Sequence, residues 1–150
     1  MCVNADGVHL GQSSMPVYAV REAIGASRIT PACAGATADR HHASRFLIGV
    51  STHNLEEALT AKKEGADFIT FGPIYPTPSK LKYGKPVGLE ALKMVSENVA
   101  IPVFGIGGIK PDNAVEVINA GAYGVALIRG ILGVKDIKNA TEEYLRVVGQ

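Results

Sequence analysis

EGADFITFGPIYPTPSK, residues 64–80, is the stretch that decides how this chain is built. Phe68, Ile69, Thr70 and Phe71 are β-formers in an unbroken run, the pattern of a strand buried in a parallel sheet. Gly65 closes a helix before it, and Gly72-Pro73 ends the strand. Past that break, Pro76 and Pro78 stiffen a loop that carries Thr77, Ser79 and Lys80. Helix, buried strand and polar loop in succession make one repeat of a βα architecture.

Working outward, residues 8–10, 46–50, 103–106 and 125–128 read as four further strands. Apart from the first, which holds His9, they are almost continuously apolar, which predicts parallel strands covered on both faces. Helices fill the intervals. Ser14 is placed to cap one entered through Met15-Pro16 and stopped at Gly25. Asn54 and Glu57 have capping-box spacing. Leu89, Leu92 and Val95 form an apolar stripe. Pro111 suits a first helical turn that Gly121 closes, and Asp136 caps a last helix with Ile137, Ala140, Tyr144 and Val148 turned inward.

A repeat runs through these junctions. Asn4-Ala5-Asp6-Gly7, Gly65-Ala66-Asp67-Phe68 and Gly121-Ala122-Tyr123-Gly124 recur at helix-to-strand turns, 61 and 56 residues apart. Each spacing holds two βα units, a regularity that favours a (β/α) barrel over a doubly wound sheet. The expected fold is therefore α/β, a partial TIM barrel with about five C-terminal βα units of the eight. Residues 1–150 form its single domain. Residues 26–44 are rich in small side chains, lack periodicity and are long for such a connection, so they read as a loop insertion. His41-His42 inside it are adjacent, do not share a face, and have no carboxylate or thiolate at ligand spacing.

Composition narrows the function. Of 150 residues, 47% are hydrophobic and 19% charged, with a formal net charge of +1. That balance suits a folded domain and argues against nucleic acid, since no Lys/Arg cluster exists. Cys2 and Cys33 cannot build a disulfide framework, and they fit a reducing compartment. No signal peptide is visible, and no apolar run reaches the ~20 residues of a membrane helix. The expectation is a cytoplasmic protein without a membrane partner.

In a βα barrel the reactive rim lies at the carboxyl ends of the strands. There the chain puts Gly11 to Ser14, then Ser51 to His53, then Thr77, Ser79 and Lys80, then Gly107-Gly108, then Arg129-Gly130. Hydroxyls, glycine amides, a lysine and an arginine are parts of an anion site. Gly107-Gly108 before a helix has two readings: a tight turn, or a phosphate cradle of main-chain N–H groups. His53 is either a local helix-start residue or a general acid or base at the rim. His9 reads as a satisfied core or barrel-lining histidine, and Asp6 and Asp67 lie at the opposite, stability end.

Six motifs in order carry a family resemblance: ADGVHLGQ (5–12), IGVSTHNLEEA (48–58), EGADFITFGPIYPTPSK (64–80), VGLEAL (87–92), IPVFGIGGIKPDNA (101–114) and AGAYGVALIRGI (120–131). Together they resemble the thiamine-phosphate synthases and their relative thiazole tautomerase. The resemblance implies a transferase of thiamine biosynthesis. It would join a hydroxymethylpyrimidine diphosphate to a thiazole phosphate and release pyrophosphate, with Mg²⁺ and protein cations holding the leaving charge. By the same resemblance Ser51 and Lys80 contact the pyrimidine diphosphate. Thr77, Pro78 and Ser79 form the thiazole-phosphate loop, and Gly108 and Ile128 give main-chain phosphate contacts.

Ser14 stands at the usual magnesium aspartate, and Arg129 at a usual serine, where it either strengthens phosphate binding or blocks the pocket. The family's first three βα units, which bring further diphosphate-gripping and magnesium-binding residues, have no counterpart here. Two alternatives follow. One is a tautomerase whose proton is moved by a histidine at His53. The other is a non-catalytic phosphate-binding fragment that self-associates through open sheet edges.

Overall fold

Residues 5–11, 13–26, 46–77 and 85–149 are described by the computed structural model. Strands and helices alternate: β1 (Gly7–Leu10), α1 (Val17–Ala26), β2 (Leu47–Thr52), α2 (Leu55–Lys63), β3 (Phe68–Phe71), α3 (Gly88–Asn98), β4 (Val103–Ile106), α4 (Ala114–Asn119) and β5 (Gly124–Ala126). Two further helices, α5 (Arg129–Leu132) and α6 (Ile137–Val148), complete the chain. The five strands form one parallel sheet in sequential order. The insertion expected at 26–44, with Cys33, His41 and His42, lies outside the described residues except at Ala26.

Alternation along each strand sorts the side chains onto two faces. One face is packed under helices: Ile48, Ile69 and Phe71 from the strands are fully buried, as are Leu92, Val95, Ala114 and Val117 from α3 and α4. Each buried Leu, Ile or Phe there is worth about 1.5–3 kcal/mol. The opposite face differs from the expected double cover. Among the described residues no helix lies over it, and it shows a row of rings. His9, Phe68, Phe104 and Tyr123 follow one another with centroids 5.8, 5.7 and 5.5 Å apart. Leu47 is 47% and Tyr123 74% exposed. Five parallel strands supply one concave wall, and covering it takes more chain than these elements provide.

Local signals mostly act as read, with instructive exceptions. Asn54 Oδ1 accepts the Glu57 N–H at 2.9 Å, and Asp136 Oδ1 the Asn139 N–H at 3.0 Å. Glu57, however, returns its carboxylate to the N–H of His53 rather than of Asn54. Ser14 does not cap α1: its Oγ accepts from Gly11 N–H at 2.9 Å, and Glu64 Oε2 instead takes the Val17 N–H at 3.0 Å. Helix α1 runs through Gly25 to Ala26. Pro111 sits in a turn before α4, whose flanking residue is Asn113. Ile137 is 49% exposed, so α6 is anchored mainly by buried Tyr144.

At the amino ends of the strands one arginine ties three segments together. Arg21 donates to Phe46 O at 2.8 Å, to Gly65 O at 2.9 Å and to the Asp67 carboxylate. Asp67 also accepts from the Ile48 N–H at 2.7 Å. The Asp67 side chain is 11% exposed, so loss of Arg21 takes the cation from a nearly buried carboxylate and a donor from two carbonyls. Arg21→Ala is expected to lower stability by about 2–4 kcal/mol. A urea unfolding midpoint unchanged from wild type would contradict this.

Candidate active site

A cavity of about 900 Å³ opens at the carboxyl ends of β2 to β5. Each strand exit contributes to its wall: Ser51, Thr52 and His53 from β2, Gly72, Pro73 and Thr77 from the loop after β3, Gly107 and Gly108 after β4, Leu127, Ile128 and Arg129 after β5. Six of the residues read from sequence, Ser51, His53, Thr77, Gly108, Ile128 and Arg129, thus meet around one space. Pro78, Ser79 and Lys80 lie outside the described residues. Ser14 lines a separate cavity of about 350 Å³ between α1 and α2.

The glycine turn is built by close approach. Ile74 N–H donates to Ile106 O at 2.9 Å and Tyr75 N–H to Gly107 O at 3.0 Å, so the loop after β3 keeps the sheet's ladder with the turn after β4. Gly108 has φ +68°, and a Cβ there would stand 2.7 Å from Tyr75 Cβ and 2.8 Å from Pro76 O. Only glycine lets the two segments lie this close. The trans peptide that aims Gly107 O at Tyr75 sends the Gly108 N–H the other way. That N–H has no acceptor among the described residues.

Two tyrosines brace the turn from outside. Tyr144 Oη donates to Ile109 O at 3.1 Å, and Tyr75 Oη to Glu116 Oε2 at 2.8 Å. Burial, and then the bond to Glu116, push the Tyr75 hydroxyl up to about 12, so it stays a donor. Asn113 closes the other flank, its Oδ1 taking the Lys110 N–H at 2.8 Å and its Nδ2 donating to Gly108 O at 3.3 Å.

The strand expected over 125–128 ends at Ala126, and Arg129 opens the short helix α5. Arg129 is exposed at the mouth, and its side chain makes no hydrogen bond or ion pair with another described residue. Lys85 is a second lining cation that the sequence reading missed. His53 Nδ1 lies 3.2 Å from Glu57 Oε2, both side chains about a third exposed.

The Ser14 position offers magnesium no carboxylate. Among the described residues no group of three or more His, Cys, Asp and Glu side chains is placed to hold a metal ion. Ser14 offers one neutral oxygen, already hydrogen-bonded to Gly11. No described helix is long and apolar enough to cross a membrane.

Glycine amides, hydroxyls and two basic side chains thus gather around one cavity at the strand exits of a parallel α/β sheet. The sequence profile of the thiamine monophosphate synthase family matches residues 31–131, and the chain belongs to that family. It is 42% identical over 145 residues to a thiamine-phosphate synthase from Shouchella clausii, covering 97% of this chain and 61% of the relative. A thiamine-phosphate synthase from Pyrococcus furiosus is 39% identical over 148 residues, covering 99% of this chain and 62% of the relative. A solved thiamine phosphate pyrophosphorylase from P. furiosus superimposes with a TM-score of 0.76 at 38% identity, over 97% of this chain and 60% of that one. The chain therefore spans about 60% of the length of the relatives it matches.

Proposed function

We propose that this chain carries the phosphate-binding part of a thiamine-phosphate synthase active site, on a single-domain partial (β/α) barrel. The reaction would join hydroxymethylpyrimidine diphosphate to thiazole phosphate. The bond between the pyrimidine methylene and the diphosphate oxygen breaks, its electron pair leaving with diphosphate. The thiazole nitrogen lone pair then forms the new C–N bond. No protein nucleophile is required, so the protein's part is to place two anions and stabilise departing charge.

In this reading the Gly108 amide, the Ile128 main chain and the Thr77, Pro78 and Ser79 loop hold the thiazole phosphate. Ser51 and Lys80 face the diphosphate, and Arg129 adds a cation at the mouth. The observation that carries it is the convergence of the Gly108 turn and Thr77 on one cavity, tied by main-chain bonds. Calorimetry with thiazole phosphate tests it. Binding is expected, and Lys80→Ala should weaken pyrimidine diphosphate by about tenfold, or 1.4 kcal/mol. Absence of binding by either compound would refute it.

A tautomerase reading is supported by the His53–Glu57 pair at the cavity, where a carboxylate orients an imidazole for proton transfer. Tautomerisation that survives His53→Ala would remove that reading.

A further inference from the structure

His9 was read from sequence as a satisfied core or barrel-lining histidine, and the structure identifies the partners that satisfy it. In the parallel register His9 stands opposite Gly49, and Ser51 opposite Thr70. Alternation therefore puts His9, Ser51 and Thr70 on the uncovered face. Ser51 Oγ lies 2.9 Å from His9 Nε2. Thr70 Oγ1 is 3.4 Å from Ser51 Oγ and 3.4 Å from His9 Nε2. A Cβ at Gly49 would come within 2.6 Å of His9 Nδ1, so the absent side chain makes room for the ring. Phe68 supports it, with centroids 5.8 Å apart.

Ser51 and Thr70 line the large cavity, and His9 does not. Whatever His9 does to a ligand there, it does through these two hydroxyls, and Ser51 at 2.9 Å is the nearer. A serine hydroxyl turns freely unless its partners choose a direction. Here both partners come from flanking strands, which are rigid elements, so the direction is set before a ligand arrives. Burial lowers the proton affinity of the His9 ring, and a neutral ring offers one lone pair or one N–H at Nε2 rather than a charge. Its contribution is aim, not cation.

We propose that His9 is the positioning residue for Ser51, fixing its hydroxyl so that the remaining hydrogen-bonding direction meets a polar group of the pyrimidine diphosphate. This rests on the reading above that Ser51 touches that substrate.

Two experiments on the 150-residue chain test it. Without ligand, the ¹⁵N resonance of His9 Nε2 should move on Ser51→Ala, and an unchanged resonance would overturn the assignment. With pyrimidine diphosphate as the probe, His9→Leu and Ser51→Ala should each weaken binding by about tenfold. The double variant should bind no worse than Ser51→Ala. His9→Gln, which keeps a polar atom near the Nε2 position, should stay within about threefold of wild type. Thiazole phosphate binding should be unaffected throughout. Losses that add in the double variant, or wild-type binding by His9→Leu, would overturn the proposal. Wild-type binding by Ser51→Ala would instead sink the Ser51 contact itself, and the assignment with it.

Discussion

Gly108→Asp should abolish phosphate binding. The backbone at residue 108 has φ +68°, a conformation costly for a residue with a side chain, and the added Cβ would press on Tyr75 Cβ at 2.7 Å and on Pro76 O at 2.8 Å. Relief requires the loop after β3 to move off the turn after β4, which breaks the Tyr75 N–H to Gly107 O bond. Thr77 would then no longer be held beside the glycine amides. The carboxylate also puts a negative charge where a phosphate is to sit. Thiazole phosphate affinity is expected to fall by at least about a hundredfold, or 2.8 kcal/mol. Gly108→Ala separates the two causes, since it keeps the strain and omits the charge. It should lose about tenfold, with stability lowered by about 1–3 kcal/mol. Binding by Gly108→Asp within about twofold of wild type would show that the turn is only a turn.

What the sequence disclosed, and what it withheld, follows the range of the interactions. Asn54 with Glu57, Asp136, and the apolar runs of β2, β3 and β4 act within a few residues of themselves, and they are where pattern reading placed them. The rim residues could be gathered because a parallel βα order sends every strand exit to one end. Failures came where a partner far along the chain won. Ser14 looked like a helix cap, but Glu64 supplies that function across 47 residues. Pro111 is the exception, because its competitor is local: Asn113 folds back on Gly108 five residues earlier, and α4 begins only after it. His9 and Ser51 are 42 residues apart, and only strand register puts them in contact. Arg21 gave no signal, because two of its acceptors are main-chain carbonyls that any sequence carries and the third, Asp67, lies 46 residues away.

The largest gain in activity should come from covering the uncovered face. Strands β1 and β5 are the two edges of an open parallel sheet, and parallel sheets are stable when both faces are packed. Here Phe68, Phe104 and Tyr123 line a face that the described helices leave bare. Fusing ahead of β1 the roughly 40% of the P. furiosus relative that this chain does not cover is expected, on the partial-barrel reading, to pair new strands with the edges and close the sheet. By the family resemblance that portion also brings cationic and magnesium-binding groups that Ser14 and its neighbours do not replace. Each donor aimed at developing charge is worth about 10²–10³ in rate, so the fused protein should make thiamine phosphate at least about a thousandfold faster than the 150-residue chain. Gly108→Asp within the fusion should remove that gain, and an equal urea midpoint for the two fusions would assign the loss to the rim and not to folding. The comparison is decisive in one direction especially. If the 150-residue chain, mixed with both precursors and magnesium, already turns over at an ordinary enzymic rate of about 1–10³ per second, five strands suffice and the argument from the uncovered face fails.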